Sequence, residues 1–263
     1  MSERELMSGP GLAGVLGGVV PRPVRKVSGP RVCIGEALVA EEYPLTILVG
    51  DGEWATLYCS PGYERFLVLG HLAGEGVIAA ADDVAGLEID TVAGLARVEL
   101  RHDARPPGVA AEPRDRRGQS APARRIQSRL RLTRDEIRRY ARTLEDLSVT
   151  YRLTGGVHNG VLFDHGREVC FHQDIGRHNV LDKLHGQCLA EGMPMDNLVL
   201  SFSGRVSSEV VAKLGRMGLP VIIARSAPTS LALDMAHELG LTVVAFARGG
   251  RCNVYTHAQR VLS

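Results

Sequence analysis

From Asn197 to Ala247 the chain alternates short apolar runs with amphipathic ones: "NLVLSF", "SSEVVAKLGRMG", "PVIIAR", "TSLALDMAHELG" and "TVVAFA". This alternation restricts the fold more than any other feature. Continuous aliphatic runs leave no polar face, so such strands must be covered on both sides. The segments between them have helical apolar spacing and stop at Gly218 and Gly240, as helices commonly do. The class that follows is α/β, a parallel or mixed sheet with helices on both faces. In such sheets ligands bind where strands give way to loops at their carboxyl ends. Here those ends are Ser201 to Arg205, Arg225 to Thr229 and Phe246 to Arg251; each carries Arg, and the first two carry hydroxyls.

The preceding sequence is less regular. Residues 1–30 are rich in Gly and Pro and read as a flexible N-terminal tail. Residues 31–130 read as a smaller β-rich subdomain ending in an Arg-rich loop, and residues 131–263 as the α/β domain. In the subdomain, "LTILVGDGEWATLYC" predicts a hairpin around Asp51-Gly52, and "GYERFLVLGHLAGEG" a helix ended by Gly74 and Gly76. "DTVAGLARVELRH" reads as a strand. Thr133 and Glu136 form a capping box that opens an amphipathic helix. "GVLFDHGREVCFHQD" predicts a second hairpin, and a helix follows from about Arg177 to Leu189.

Overall charge is balanced, 31 basic against 30 acidic residues, which argues against nucleic acid as a partner. Locally it is not: Arg101 to Arg131 holds nine Arg against Asp103, Glu112 and Asp115. Such a run is either a solvated loop or a trap for a phosphate-bearing ligand or an acidic partner surface. Residues 103–128 are expected to be irregular or mobile. Five cysteines, none spaced as CxxC, make neither a disulfide framework nor a zinc knuckle, so a reducing cytoplasm fits best. No stretch is long and apolar enough to span a membrane.

"SFSGRVSSE" follows a strand and opens a helix, where backbone N–H groups and Arg205 could hold an anion, or Ser207 could simply cap the helix. In "SAPTS", Ser226 or Thr229 could cap the next helix with Pro228 in its first turn. "FARGGR" pairs two glycines that let a ligand approach the backbone with Arg248 and Arg251 beside them. Together they suggest a phosphate or nucleotide site. Five His lie between residues 158 and 185, but neither H-x-E nor P-C-x-x-C is present, so no zinc is expected. Asp174, Arg177, His178 and Asp182 are instead expected to form a polar network at a helix start.

These motifs, above all "TGGVHNG", "QDIGRHNVLDKLHG", "SGRVSSEVVAKLGRMG", "SAPTSLALDMAHELG" and "FARGGRCNVYTHAQRV", resemble the formate dehydrogenase accessory proteins of the FdhD/NarQ type. The resemblance covers most of residues 41–261 and implies a cytidine-deaminase-like fold without the deaminase zinc, usually homodimeric. It implies a sulfurtransferase that takes sulfur from a cysteine desulfurase. The sulfur passes to the molybdenum (or tungsten) bis(molybdopterin guanine dinucleotide) cofactor of formate dehydrogenase. Cofactor binding is thereby carried to Phe246, Ala247, Arg248, Gly249, Gly250 and Arg251. The family's persulfide cysteine lies in a C-G-x-C-G loop, and the matching region here, "EPRDRRGQSAPARRI", has no Cys. A serine hydroxyl cannot replace a thiolate in this chemistry. No catalytic residue matches. If a persulfide is carried, the candidate thiol is Cys252, whose neighbour Arg251 is expected to favour the thiolate; otherwise Cys252 packs at the start of the "NVYTH" strand. The alternative is a non-catalytic chaperone that binds the cofactor without moving sulfur.

Overall fold

The computed structural model describes residues 18–101 and 125–262. Its first elements are two long strands, β1 (Val19–Ser28) and β2 (Arg31–Ala40), paired antiparallel over their whole length. Where a flexible tail is expected up to residue 30, the chain from Val19 onward forms a strand, to which its β-branched valines are suited. β3 (Tyr43–Val49) and β4 (Gly52–Cys59) then form the predicted hairpin, turning at Gly50-Asp51, and α1 (Glu64–Gly74) follows. The single strand expected over residues 90–102 is instead a hairpin of β5 (Val84–Asp90) and β6 (Leu95–Leu100). Asp90 breaks it, because its Oδ1 accepts hydrogen bonds from the N–H groups of Val92 and Ala93 at 3.0 and 2.9 Å. The four strands form a sheet in the order β4-β3-β6-β5, which shares an apolar core with α1.

The Arg-rich stretch lies outside the described residues up to 124; residues 125–131 have no regular secondary structure, and Ile126 is buried. β7 (Leu132–Thr133) leads into α2 (Arg134–Leu147), whose capping box forms as predicted: Glu136 N–H donates to Thr133 Oγ1 and Thr133 N–H to Glu136 Oε2. A short α3 (Val149–Thr154) follows. β8 (His158–Asp164) and β9 (Arg167–Asp174) make the second hairpin, and α4 (Arg177–Ala190) the predicted helix. The alternation then forms in full as β10 (Val199–Phe202), α5 (Ser208–Met217), β11 (Val221–Ala224), α6 (Ser230–Leu239) and β12 (Thr242–Arg248). β13 (Arg251–Val254) turns back on β12, and β14 (Val261–Leu262) pairs with β7.

The result is a mixed six-stranded sheet, β13-β12-β11-β10-β8-β9, with β10, β11 and β12 parallel. α4, α5 and α6 bury one face of this sheet and α2 the other. The two sheets are joined through α1 and α4, which pack at bare backbone. A Cβ on Gly70 would lie 1.8 Å from the Asp182 carbonyl oxygen, and one on Gly186 would lie 1.9 Å from that of Phe66. Only glycine at both positions permits this crossing.

Candidate functional site

Parallel strands present their carboxyl ends on one side of a sheet, so the loops after β10, β11 and β12 lie together. Backbone bonds fasten them: Val206 N–H to Ala227 O at 3.0 Å, Thr229 N–H to Val206 O at 3.0 Å, and Phe246 N–H to Ser226 O at 3.3 Å. β8 runs antiparallel to β10, which brings its first residues, His158 and Asn159, to the same edge. There Asn159 N–H donates to Ser203 Oγ at 2.8 Å, and Ser203 Oγ lies 3.4 Å from His158 Nδ1. The start of α4 completes the group, with His178 Nε2 3.1 Å and Arg177 4.0 Å from Glu209 Oε2. "TGGVHNG", "DIGRH", "SGRVSSE", "SAPTS" and "FARGGR" therefore meet on one edge. The place of "TGGVHNG" was not foreseen, since no local pattern says which way β8 runs.

"FARGGR" is a β-hairpin tip. Gly249 and Gly250 have φ of +56° and +75°, the condition for a two-residue type I′ turn. Phe246, with φ of +54°, sits at a register shift that puts Ala245 and Ala247 on opposite sheet faces. Arg248 and Arg251 flank the turn, exposed and with no ion pair among the described residues. Arg225 at the end of β11 pairs with Glu145 at 3.4 Å.

The edge is short of hydrogen bonds. Of six buried side-chain polar atoms without a partner among the described residues, five are here: both amide atoms of Asn159, Arg177 Nε, Ser201 Oγ and Ser207 Oγ. Ser207 occupies the N-cap of α5 without bonding the helix, whereas Thr229 caps α6 through Ala232 N–H at 3.4 Å. Pro228 precedes that cap rather than lying in the first turn, and bridges to Val206. Burial holds His158 below the ordinary imidazole range, and Arg177 and Arg205 add to the effect. Burial and Arg177 do the same to His178. Both shifts favour the neutral imidazole. An edge with several Arg, neutral His and unsatisfied donors suits an anionic ligand with many acceptors.

The network expected of Asp174, Arg177, His178 and Asp182 divides in three. Arg177 and His178 belong to the edge. Asp174 is fully buried and pairs with Lys183 Nζ at 2.7 Å, while its oxygens accept from Ser60, Gly176 and Asn179 at 2.9–3.1 Å. Lys183 also donates to Ser60 O at 3.0 Å. Asp182 binds Lys213 at 2.5 Å and lies 3.6 Å from His71. Among the described residues, no group of three or more His, Cys, Asp or Glu could hold a metal ion.

The thiols differ from expectation. Burial pushes Cys59 and Cys188 up to about 12 and raises Cys170 as well. Cys252 is exposed on β13, yet partial burial still raises its thiol above the ordinary value. The arginines that oppose this are Arg134 and Arg138 of α2, and they do not overcome it. Arg251 is not among the charges that act on this thiol.

A mixed α/β sheet whose carboxyl edge gathers arginines, glycines and unpaired buried polar atoms defines the class of protein by its fold. Its particular kind comes from its relatives: residues 40–262 match the FdhD/NarQ family, and the chain belongs to that family. It is 40% identical over 253 residues to "Sulfur carrier protein FdhD" of Geobacillus kaustophilus, covering 92% of this chain and 96% of that one. It is 39% identical to the protein of that name from Bacillus pumilus, covering 85% and 90%. Its fold is similar to a crystal structure assigned as a formate dehydrogenase accessory protein from Desulfotalea psychrophila. There the TM-score is 0.78 at 26% identity, covering 93% of this chain and 99% of the other. The family is thus that of sulfur carriers and formate dehydrogenase accessory proteins. No described helix is long and apolar enough to cross a membrane.

Proposed function

We propose that the chain serves formate dehydrogenase maturation by holding the bis(molybdopterin guanine dinucleotide) cofactor of molybdenum or tungsten as cargo at this carboxyl edge. The observation that carries the reading is the concentration there of five unsatisfied polar atoms beside Arg177, Arg205, Arg248 and Arg251. Of these groups the guanidinium, hydroxyl and amide N–H groups can donate to a ligand rich in phosphate oxygens. Phe246 to Arg251 would hold one pyrophosphate against the glycine turn, and the start of α5 would offer N–H groups to another anionic group. The cytidine-deaminase-like description, the homodimer and the cytoplasmic location belong to the same proposal. Binding of guanosine diphosphate by titration calorimetry tests it: wild-type chain binds, and a chain with Arg248 and Arg251 both changed to Ala does not. Equal affinity in the two would remove the site.

The relatives' name, sulfur carrier, adds sulfur transfer, and the donor in this proposal is a cysteine desulfurase. In the loading step, a Cys252 thiolate attacks the outer sulfur of the donor's persulfide. The new S–S bond forms on Cys252, and the donor cysteine leaves as thiolate. A second reading, a cofactor chaperone without sulfur transfer, is favoured by the Cys-free Arg-rich loop and by the raised Cys252 thiol. Mass spectrometry after incubation with a desulfurase and cysteine separates the two. A persulfide on wild type that is absent from Cys252→Ser supports the carrier. No persulfide, with dehydrogenase maturation intact, supports the chaperone.

A further inference from the structure

Among the described residues β1 and β2 form a two-stranded sheet joined to none of the other sheets, ten residues long and about 33 Å at the usual rise per residue. Among the described residues the hairpin is fastened at its base, where Glu41 N–H donates to Gly18 O at 2.7 Å and α3 packs on β2. Towards the tip it is bare. The cross-strand pairs Arg25/Ile34 and Val27/Val32 share one face, and Ile34, Val27 and Val32 are 88%, 67% and 48% exposed. A lone hairpin is marginal in water, and exposed apolar residues on one mark an interaction surface.

Three features identify the partner. First, Pro21 and Pro23 lack N–H groups and blunt the outer edge of β1, while β2 has no proline and, among the described residues, pairs only with β1. Second, residues 19–40 carry Arg22, Arg25, Lys26 and Arg31 against Glu36, a net +3 concentrated at the tip. Third, a cleft of about 400 Å³ lies at the base of the same hairpin, lined by Glu41, Glu64, Tyr43, Pro44, Pro61 and Val92 among others, and by no basic residue.

We propose that β2 is the interface of a symmetric dimer in which two arms are exchanged. A two-fold axis across the middle of the arm lays β2 antiparallel to its mate, making one four-stranded sheet. The same axis necessarily brings each tip to the other copy's base, so Arg25 and Lys26 meet the cleft at Glu41 and Glu64. Like patches thus serve both subunits, as closed two-fold assembly requires. The interface rests on the homodimer proposed above but not on the ligand at the carboxyl edge.

Sedimentation velocity of the full chain over a concentration series tests it. Wild type should be dimeric. The V27E/I34E chain should weaken association at least tenfold with unchanged far-UV circular dichroism. R25E/K26E and E41K should each do the same alone, and an equimolar mixture of those two should regain the dimer, since each tip then meets an opposite charge. Two outcomes overturn the proposal: a wild type that is monomeric throughout, or a dimer that V27E/I34E leaves intact. The second would keep the homodimer and sink only this interface.

Discussion

Two polar clusters lie on either side of the start of α4 and obey opposite rules. Around Asp174 and Lys183 nearly every donor and acceptor is matched: four groups bond one carboxylate, and the lysine also reaches a carbonyl. A few residues away, at the carboxyl edge, Asn159, Arg177, Ser201 and Ser207 hold buried atoms that bond nothing described. Burying polar groups unpaired costs free energy, so a fold retains them where something other than folding uses them. The matched cluster ties the N-terminal sheet, through Ser60, to α4; the unmatched one is the proposed ligand site. The expectation of one network over both followed from their closeness in sequence, and missed that a helix start divides them.

The largest effect should come from breaking the matched cluster. Lys183→Met leaves the Asp174 carboxylate buried without its counter-ion, which costs about 3–5 kcal/mol. Urea unfolding should show that loss, and guanosine diphosphate binding to the folded fraction should be retained. A loss below about 1 kcal/mol would mean that the pair is not the tie between the two sheets. Next in size is the pH response of His172 and His185, which burial holds down at about 4. In the unfolded chain they protonate near 6.5, so the unfolded state takes up protons first as pH falls. Stability is therefore present above pH 6.5 and lost between 6.5 and 4, by roughly 2–3 kcal/mol for each His. His185→Gln should flatten that slope when unfolding is repeated at pH 7, 6 and 5. An unchanged slope would place the acid sensitivity elsewhere.

The α/β half was legible because periodicity is a local signal: apolar runs, capping residues and terminal glycines marked every element from α4 to β12. The edge loops were legible for the same reason, since parallel strands leave no choice about where their ends lie. What stayed hidden depends on contacts distant in sequence. "TGGVHNG" joins the site only because β8 runs antiparallel to β10, and Gly70 and Gly186 matter only because α1 and α4 cross there. Residues 19–28 looked like a tail because Pro and Gly usually mark loose chain, and nothing local announced the strand that pairs with them. Arg251 adjoins Cys252 in sequence but is not among the charges acting on its thiol, since side chains of adjacent strand residues point to opposite faces.

On the unmatched side the sign of the effect changes. Arg248 and Arg251 stand exposed on a tight turn and support no other group, so replacing them with Ala should leave stability within about 0.5 kcal/mol. Affinity for guanosine diphosphate should fall by about 1–3 kcal/mol for each, the usual worth of a charge-assisted hydrogen bond. Calorimetry of the single variants reads both halves. Loss of stability without loss of affinity would turn the turn into a structural feature and leave the edge without its main anchor.

The finest contrast is between two N-cap residues. Thr133 bonds Glu136 N–H at 3.2 Å, so Thr133→Ala should cost about 1 kcal/mol of stability, as removal of a working cap does. Ser207 occupies the same position on α5 with its hydroxyl buried and unbonded. Ser207→Ala removes no hydrogen bond from the fold and should change stability by less than about 0.5 kcal/mol. If the hydroxyl is kept for a phosphate oxygen, the same change should weaken guanosine diphosphate binding by about 1 kcal/mol, near fivefold. Thermal unfolding and calorimetry on the two variants give four numbers with opposite pattern. A Ser207→Ala chain that loses stability like Thr133→Ala and binds like wild type would make Ser207 an ordinary cap, and the unmatched atoms would no longer mark the ligand site.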